Sequence, residues 1–379
     1  MNPPLRILCF QPEHPDASKY IRVLEPMGVL RKRGHTILSV EKLLAAHGQE
    51  MTPEKLVDQC DIFLISNVDI SPPRFEVFER MVAHCNETKK LIIYDFDDYY
   101  NEIPDSNPHV RNCPEWNYFV KLIGMAHVLT VTGRELQQVL SEHHPRIFVL
   151  PNMIDFEIYK PRPRHSQKLR IGWTAGITHL SDFPIVASVI RKLQQKHHFE
   201  FILFGLFPDF LEFISNAEMI AKYSIQPEEL QDSYHRAQVE FMKHAEGIEC
   251  ALVPAVSYAD FPAYLTNLDL DIGICPIRDA RWNRCRSGVK FYQYAATKTA
   301  TIASNVYPYS DEPVVLAENT EESWTEKLES LILDPVFRGH TTKLQFEYVF
   351  KNRNLNRNGL AWEILYQELV KHLCRKEGA

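Results

Sequence analysis

Short apolar runs alternate with amphipathic helical stretches along this chain, and the alternation happens twice. In the first pass, strand-like runs fall at 6–10, 37–40, 62–65, 91–94, within 125–132 and at 147–150, with helical periodicity at 20–33, 75–84 and 134–141. A loop rich in proline and charge, PNMIDFEIYKPRPRHSQK at 151–168, breaks the series. The alternation restarts at 169–173, 199–204, 250–253, 270–275 and 299–303, with helices expected at 324–333 and 360–374. Strands separated by helices of ten or more residues imply parallel βαβ units. At 379 residues the chain is long enough for two domains of that kind, with the break as their boundary. The polar, helical stretch at 208–247 is longer than a crossover needs and reads as an insertion.

Two βα domains in tandem would suit a dinucleotide oxidoreductase, but the glycines are in the wrong places. FQPEHPDAS after the first strand has none, and GWTAGITHLSD, opening the second series, lacks the GxGxxG spacing. There are only 14 glycines in all, and no Walker A loop. A net charge of -7 argues against a dedicated nucleic-acid binder. The eight cysteines include no CxxC pair, which fits reduced thiols in a cytoplasmic protein and gives no support for a zinc site. The apolar run near the start is too short for a signal peptide, and no stretch approaches the roughly 18 apolar residues of a membrane span. Membrane contact would therefore be peripheral. The basic run Arg31, Lys32, Arg33 could touch anionic lipid, or could complement a helix C-terminus.

The most informative segment is DLDIGICPIRDARWNRCRSGVKFYQYAATKTATIASNVYP at 269–308. An apolar strand end leads into a polar loop with Arg281, Arg284 and Arg286, then a helix expected over 287–296, then another strand. Arg286, Lys290 and Gln293 recur at i, i+4 and i+7, which places them on one helical face. Ser287 is the expected N-cap, directing free amides and the positive dipole end into the loop. Two cations, free amides and a neutral side-chain amide along one stripe suit a ligand with a diphosphate at one end and sugar hydroxyls further along.

These residues resemble a known family. The chain is similar to GT-B-fold glycosyltransferases, of the large group that includes the retaining family 4 enzymes. YDFDDYYNEIP (94–104) resembles the acidic strand-end motif of a bacterial subgroup involved in surface-polysaccharide synthesis. IGWTAGITHLSD (171–182) resembles the opening strand and glycine-containing loop of the C-terminal domain. The donor segment of that subgroup has an asparagine, a basic-Ser pair and a lysine ahead of a helix, as in WNRCRSGVKFYQYAA; ENTEESWTEKLESLILDP (318–335) resembles the helix that follows. The match spans roughly 90–335 and implies two Rossmann-like parallel-sheet domains facing across a cleft. The N-terminal domain at 1–155 would take the acceptor. The C-terminal domain at 167–355 would take the donor, and a last helix at 356–379 would pack back on the first domain.

The resemblance implies transfer of a sugar, with retention, from a nucleotide-diphosphate donor to a saccharide or lipid-linked acceptor. It implies no cofactor and no bound metal, so Arg286 and Lys290 would neutralise the leaving diphosphate, assisted by Gly176, His179, Ser287 and backbone amides near Ala175. Gln293 would hydrogen-bond the ribose. Two departures stand out. Aligned on the following Thr-Ile-Ala-Ser, the family's two glutamates fall on Cys285 and Gln293, and the usual basic pair after the opening strand is replaced by His179 alone. Cys285 keeps open a GT-B-like nucleotide-sugar- or glycan-binding protein without catalysis, beside a GT-B sugar epimerase. On the acceptor side, Asp97 and Asp98 are the candidate catalytic carboxylates, able to orient an acceptor hydroxyl or take its proton, or else to cap the next turn. Asp95, His14 and Lys19 complete the acceptor-side set. A divalent-metal reading of the aspartates lacks further ligands. Tyr258, Phe261 and Tyr264 suit packing better than base stacking.

Overall fold

The computed structural model describes residues 3–10, 17–66, 72–103, 116–161, 166–205, 236 and 239–373. The chain divides into two compact units. One comprises Met1–Asp98, Pro114–Asp155 and Asn354–Ala379, and the other Tyr99–Cys113 and Phe156–Arg353. His14 and most of the stretch at 208–247 lie outside the described residues.

The first unit is built on six parallel strands: β1 (Arg6–Phe10), β2 (Thr36–Ser39), β3 (Ile62–Ser66), β4 (Leu91–Phe96), β5 (Val128–Val131) and β6 (Ile147–Val149), in the order β2-β1-β3-β4-β5-β6. β3 and β4 are buried along their whole length, which is why they read as continuous apolar runs rather than alternating ones. Ile7, Cys9, Ile62, Leu64, Leu91 and Ile93 form one core with Trp362, Tyr366 and Leu369 of the helix Leu360–Leu373. The strand order reverses between β1 and β3, the place where such sheets open a ligand crevice. The loops that follow both of those strands lie outside the described residues.

The second unit repeats the plan with β7 (Leu169–Thr174), β8 (Phe199–Phe204), β9 (Ala251–Val253), β10 (Ile272–Cys275), β11 (Ala300–Ser304) and β12 (Val315–Ala317), in the order β12-β11-β10-β7-β8-β9. Here the order reverses between β7 and β10. Ile171, Trp173, Ile272, Ile274 and Trp324 fill the core, with Trp173 stacked on Phe183 at 5.3 Å.

Several elements differ from expectation. β12 was not legible as a strand: it is three residues long at a sheet edge, too short to carry a pattern. The helix Pro335–Asn352 is interrupted in sequence by Gly339 and two threonines, yet its N-cap is strong: Asp334 accepts from the amides of Val336 and Phe337. The region 20–33 is a π-helical turn at Tyr20–Leu24 continued by the α-helix Glu25–Lys32. The expected helix over 287–296 starts later, at Val289, and the polar loop before it contains a separate turn of helix, Arg281–Arg284. Among the described residues, no helix is long and apolar enough to cross a membrane.

Candidate active site

The candidate site of the second unit lies at the carboxyl ends of β7 and β10, where the strand order reverses. The register sets Gly172 of β7 beside Gly273 of β10. Against them sits Tyr294, from the helix Val289–Ala296. A Cβ on Gly273 would come within 2.5 Å of the Tyr294 ring. The Tyr294 hydroxyl accepts from the Thr174 amide at 2.7 Å and donates to the Gly172 carbonyl at 3.2 Å. Glycine at this point thus lets a buried tyrosine seat the helix directly on the sheet, and that helix carries Lys290 and Gln293. Beyond β10 the Ile277 amide donates to Ser304 Oγ of β11 at 2.9 Å, which fixes the loop leading to Arg278.

After β7 the chain passes Ala175 and Gly176 into a single 3-10 stretch, Ile177–Asp182. Gly176 is exposed at its N-cap position. The Ala175 amide is spent on the Phe204 carbonyl at 2.9 Å, so it does not serve as a free donor to a ligand. Asp182, 1% exposed, is the anchor of the loop. One of its oxygens accepts from the Arg278 amide at 2.9 Å and from Asn283 Nδ2 at 3.2 Å. The other lies 3.2 Å from His179 Nδ1.

His179, Arg286 and Lys290 come together here. Arg286 Nη1 is 2.8 Å from His179 Nε2 and 3.2 Å from Nδ1. Both ring nitrogens can be that close to one donor only if it stands over the ring, since an in-plane approach to one nitrogen carries it away from the other. The guanidinium carbon also lies 5.3 Å from the centre of the Trp282 indole. Burial first, and then Arg286 and Lys290, hold the His179 pKa well below the ordinary histidine value. His179 is therefore a neutral imidazole at neutral pH, donating from Nδ1 to Asp182, and not the cation its sequence position offered.

Lys290 is half-buried and forms no ion pair among the described residues. Burial, then the neighbouring Arg286 charge, push its pKa down to about 7, against weaker opposition from Cys275 and Asp182. The shift comes first from burial and then from the guanidinium, and groups perturbed in this way cluster at functional sites.

Two details of the expected stripe are corrected. Arg286 is not on the helix with Lys290 and Gln293. It stands in the turn before it and reaches the same place from there. Ser287 is not the N-cap: Gly288 occupies that position with no side-chain cap bond, because the helix begins one residue later than the capping pattern suggests. Gln293 is 5% exposed, and its Nε2 donates to the Tyr258 hydroxyl at 3.3 Å. Tyr258 in turn lies parallel to Phe261 at 5.8 Å, and Phe261 to Phe204 at 5.2 Å, as packing rings. Cys285 is 1% exposed.

In the first unit, Asp97 and Asp98 are half-buried just past the carboxyl end of β4, and Thr132 Oγ1 donates to the Asp97 carbonyl at 3.4 Å. Lys19 is 9% exposed in the short helix Ala17–Lys19. Asp95 is 2% exposed, and both its oxygens are engaged. Arg22 donates to them at 2.8 and 2.6 Å, and Thr130 Oγ1 at 2.6 Å. An acceptor molecule would have to displace Arg22 to reach Asp95, which leaves Asp97 and Asp98 as the carboxylates at the strand end.

No family model matches the chain, and no curated protein matches it. Solved structures do. An alpha-glucosyltransferase in complex with UDP superposes with a TM-score of 0.65 at 12% identity, covering 96% of this chain and 100% of that one. The trehalose-6-phosphate synthase OtsA gives 0.58 at 11% identity, covering 97% and 99%. An E. coli trehalose-6-phosphate structure bound with UDP-2-fluoro glucose gives 0.57 at 11%, again covering 97% and 99%. The chain has the GT-B fold. At such identities the likeness carries the two six-stranded parallel sheets and their flanking helices. Within this GT-B chain, the residues missing from the sequence reading are Asp182 and Trp282; the asparagine of the donor segment, Asn283, donates to Asp182. The His-x-x-Asp spacing of His179 and Asp182 on one helical turn was the available signal for the first.

Proposed function

We propose that the protein is a glycosyltransferase whose second unit holds a nucleotide-diphosphate sugar. The reaction would pass the sugar, with retention, to a saccharide or lipid-linked acceptor held by the first unit. The observation that carries this reading is the Arg286–Lys290 pair at the reversal point of the second sheet, with Lys290 depressed to about 7. A diphosphate placed there would restore the charge of Lys290 and be neutralised as it leaves. The UDP and UDP-sugar complexes of proteins sharing this fold support the same ligand class. The donor would need no bound metal, and turnover is expected to survive dialysis against EDTA. Loss of turnover with recovery on Mg²⁺ would overturn that point. A thermal-shift and donor-hydrolysis screen across UDP, GDP, dTDP and CMP sugars tests the reading as a whole. At least one donor should raise the melting temperature, and none doing so would count against it.

Asp97 and Asp98 are proposed to serve the acceptor. A positioned carboxylate contributes on the order of 10²–10⁴-fold as a general base, so Asn substitution at the active one should cut kcat while donor affinity stays near wild type. A capping role instead lowers the melting temperature with little kinetic loss. If both variants keep full kcat, these carboxylates are not catalytic. One observation favours a second reading, a nucleotide-sugar- or glycan-binding protein without turnover: a buried cysteine stands at position 285, where the resemblance calls for a glutamate. Donor binding with no hydrolysis or transfer would select it.

A further inference from the structure

We propose that His179 and Trp282 are positioning residues for Arg286, two uncharged rings against which its guanidinium is held ready for an anion. This rests on reading the second unit as the donor site. Three observations carry it. Arg286 Nη1 stands over the His179 ring, 2.8 and 3.2 Å from its two nitrogens. The guanidinium carbon lies 5.3 Å from the Trp282 ring centre. Both rings are themselves fixed: Trp282 is 4% exposed and His179 is 8% exposed. His179 is tied to Asp182, which the Arg278 amide and Asn283 hold in turn.

The physical advantage lies in what a ring does to a cation. A ring face attracts the guanidinium through its quadrupole and brings no negative charge of its own to the site. The imidazole can play this part only while neutral. A proton on it would set like charges against each other, and its burial beside Arg286 and Lys290 opposes that proton. Asp182 holds the Nδ1–H tautomer and thereby the plane of the ring. His179 thus takes over a place where the resembled family carries cations, and supports the anion site through Arg286.

The test uses paired variants of the full chain and two readouts. The first is the side-chain Nε–H signal of Arg286 in protein with isotopically labelled arginine, identified by its loss in Arg286→Lys. It needs no ligand. His179→Lys and Trp282→Leu are expected to displace this signal and speed its exchange with water, while His179→Gln and Trp282→Phe keep it near its wild-type position. The second readout is calorimetric binding of inorganic pyrophosphate. His179→Lys and Trp282→Leu should weaken it roughly tenfold, the scale of one charge-assisted hydrogen bond. The conservative pair should stay within about threefold. If Trp282→Leu does not fold, the two His179 variants carry the test. Tighter pyrophosphate binding by His179→Lys with the Arg286 signal unmoved would overturn the proposal, since position 179 would then contact phosphate directly. An unmoved signal in all variants would overturn it as well. Displaced signals in a protein that binds no pyrophosphate would uphold the positioning and sink the donor reading instead.

Discussion

Replacing Arg22 by alanine should destabilise the first unit by about 3–5 kcal/mol, a large share of the roughly 5–15 kcal/mol that holds a typical native protein together. Arg22 is 1% exposed and lies against Asp95 with two hydrogen bonds, 2.8 and 2.6 Å long. Its Nη1 also donates to the Leu150 carbonyl at 2.6 Å and to Asn152 Oδ1 at 2.8 Å, and the Trp362 ring centre is 5.8 Å from its guanidinium carbon. The pair therefore ties β4, the chain leaving the first sheet and the final helix into one body. Truncating Arg22 strands a buried carboxylate, and the loss comes mostly from that stranded charge. The double variant Arg22→Met with Asp95→Leu removes both charges and is expected to regain most of the lost stability. Chemical denaturation of the single and double variants measures this. Equal destabilisation in both would mean that the packing of the arginine stem matters more than the ion pair.

The second large effect concerns ligand binding. Arg286→Ala and Lys290→Met should each cost roughly 1.5–3 kcal/mol of nucleoside-diphosphate affinity, about tenfold to 150-fold. The two differ in their pH signature. In the empty protein Lys290 titrates near 7, against its ordinary 10.5. Below about 7 it is protonated both folded and unfolded, whereas between about 7 and 10.5 only the unfolded chain holds the proton. Lys290 therefore makes folding stability rise with pH across that window. A bound dianion raises the lysine pKa again, so binding takes up a proton, and affinity falls as pH climbs above about 7. Lys290→Met should lose both the affinity and its slope with pH. Arg286→Ala should lose affinity and keep a slope.

The central strands were legible because they are buried on both faces, so each is a short apolar run between polar turns. Arg6–Phe10 and Phe199–Phe204 were readable residue for residue. Contacts between distant positions were not. Nothing in DFDD distinguishes Asp95, the last-but-one residue of β4, from Asp97 two positions on. Only its alignment with Thr130 in the register and the arrival of Arg22 from 73 positions away show that it is a buried structural charge. At the proposed donor site, periodicity brought Lys290 and Gln293 to one helix correctly. It misplaced Arg286, which stands three residues before the first helical residue, Val289, in the turn that leads into the helix. His179 looked like a replacement cation in sequence, and its neutrality follows first from burial and then from the neighbouring Arg286 and Lys290. Trp282 carried no local signal at all, since its role exists only once Arg286 folds back on it.

Arg286 and Lys290 are proposed to form the diphosphate site of a nucleotide-sugar donor. Calorimetry of UDP, GDP, dTDP and CDP against the wild-type chain and Lys290→Met, at about pH 6 and about pH 8.5 in buffers of differing ionisation enthalpy, tests it most directly. The expected result is that at least one nucleoside diphosphate binds the wild type, more tightly at the lower pH and with proton uptake, and that Lys290→Met binds it at least tenfold more weakly with no uptake. Binding of equal strength in both proteins, or uptake that survives the substitution, would contradict it.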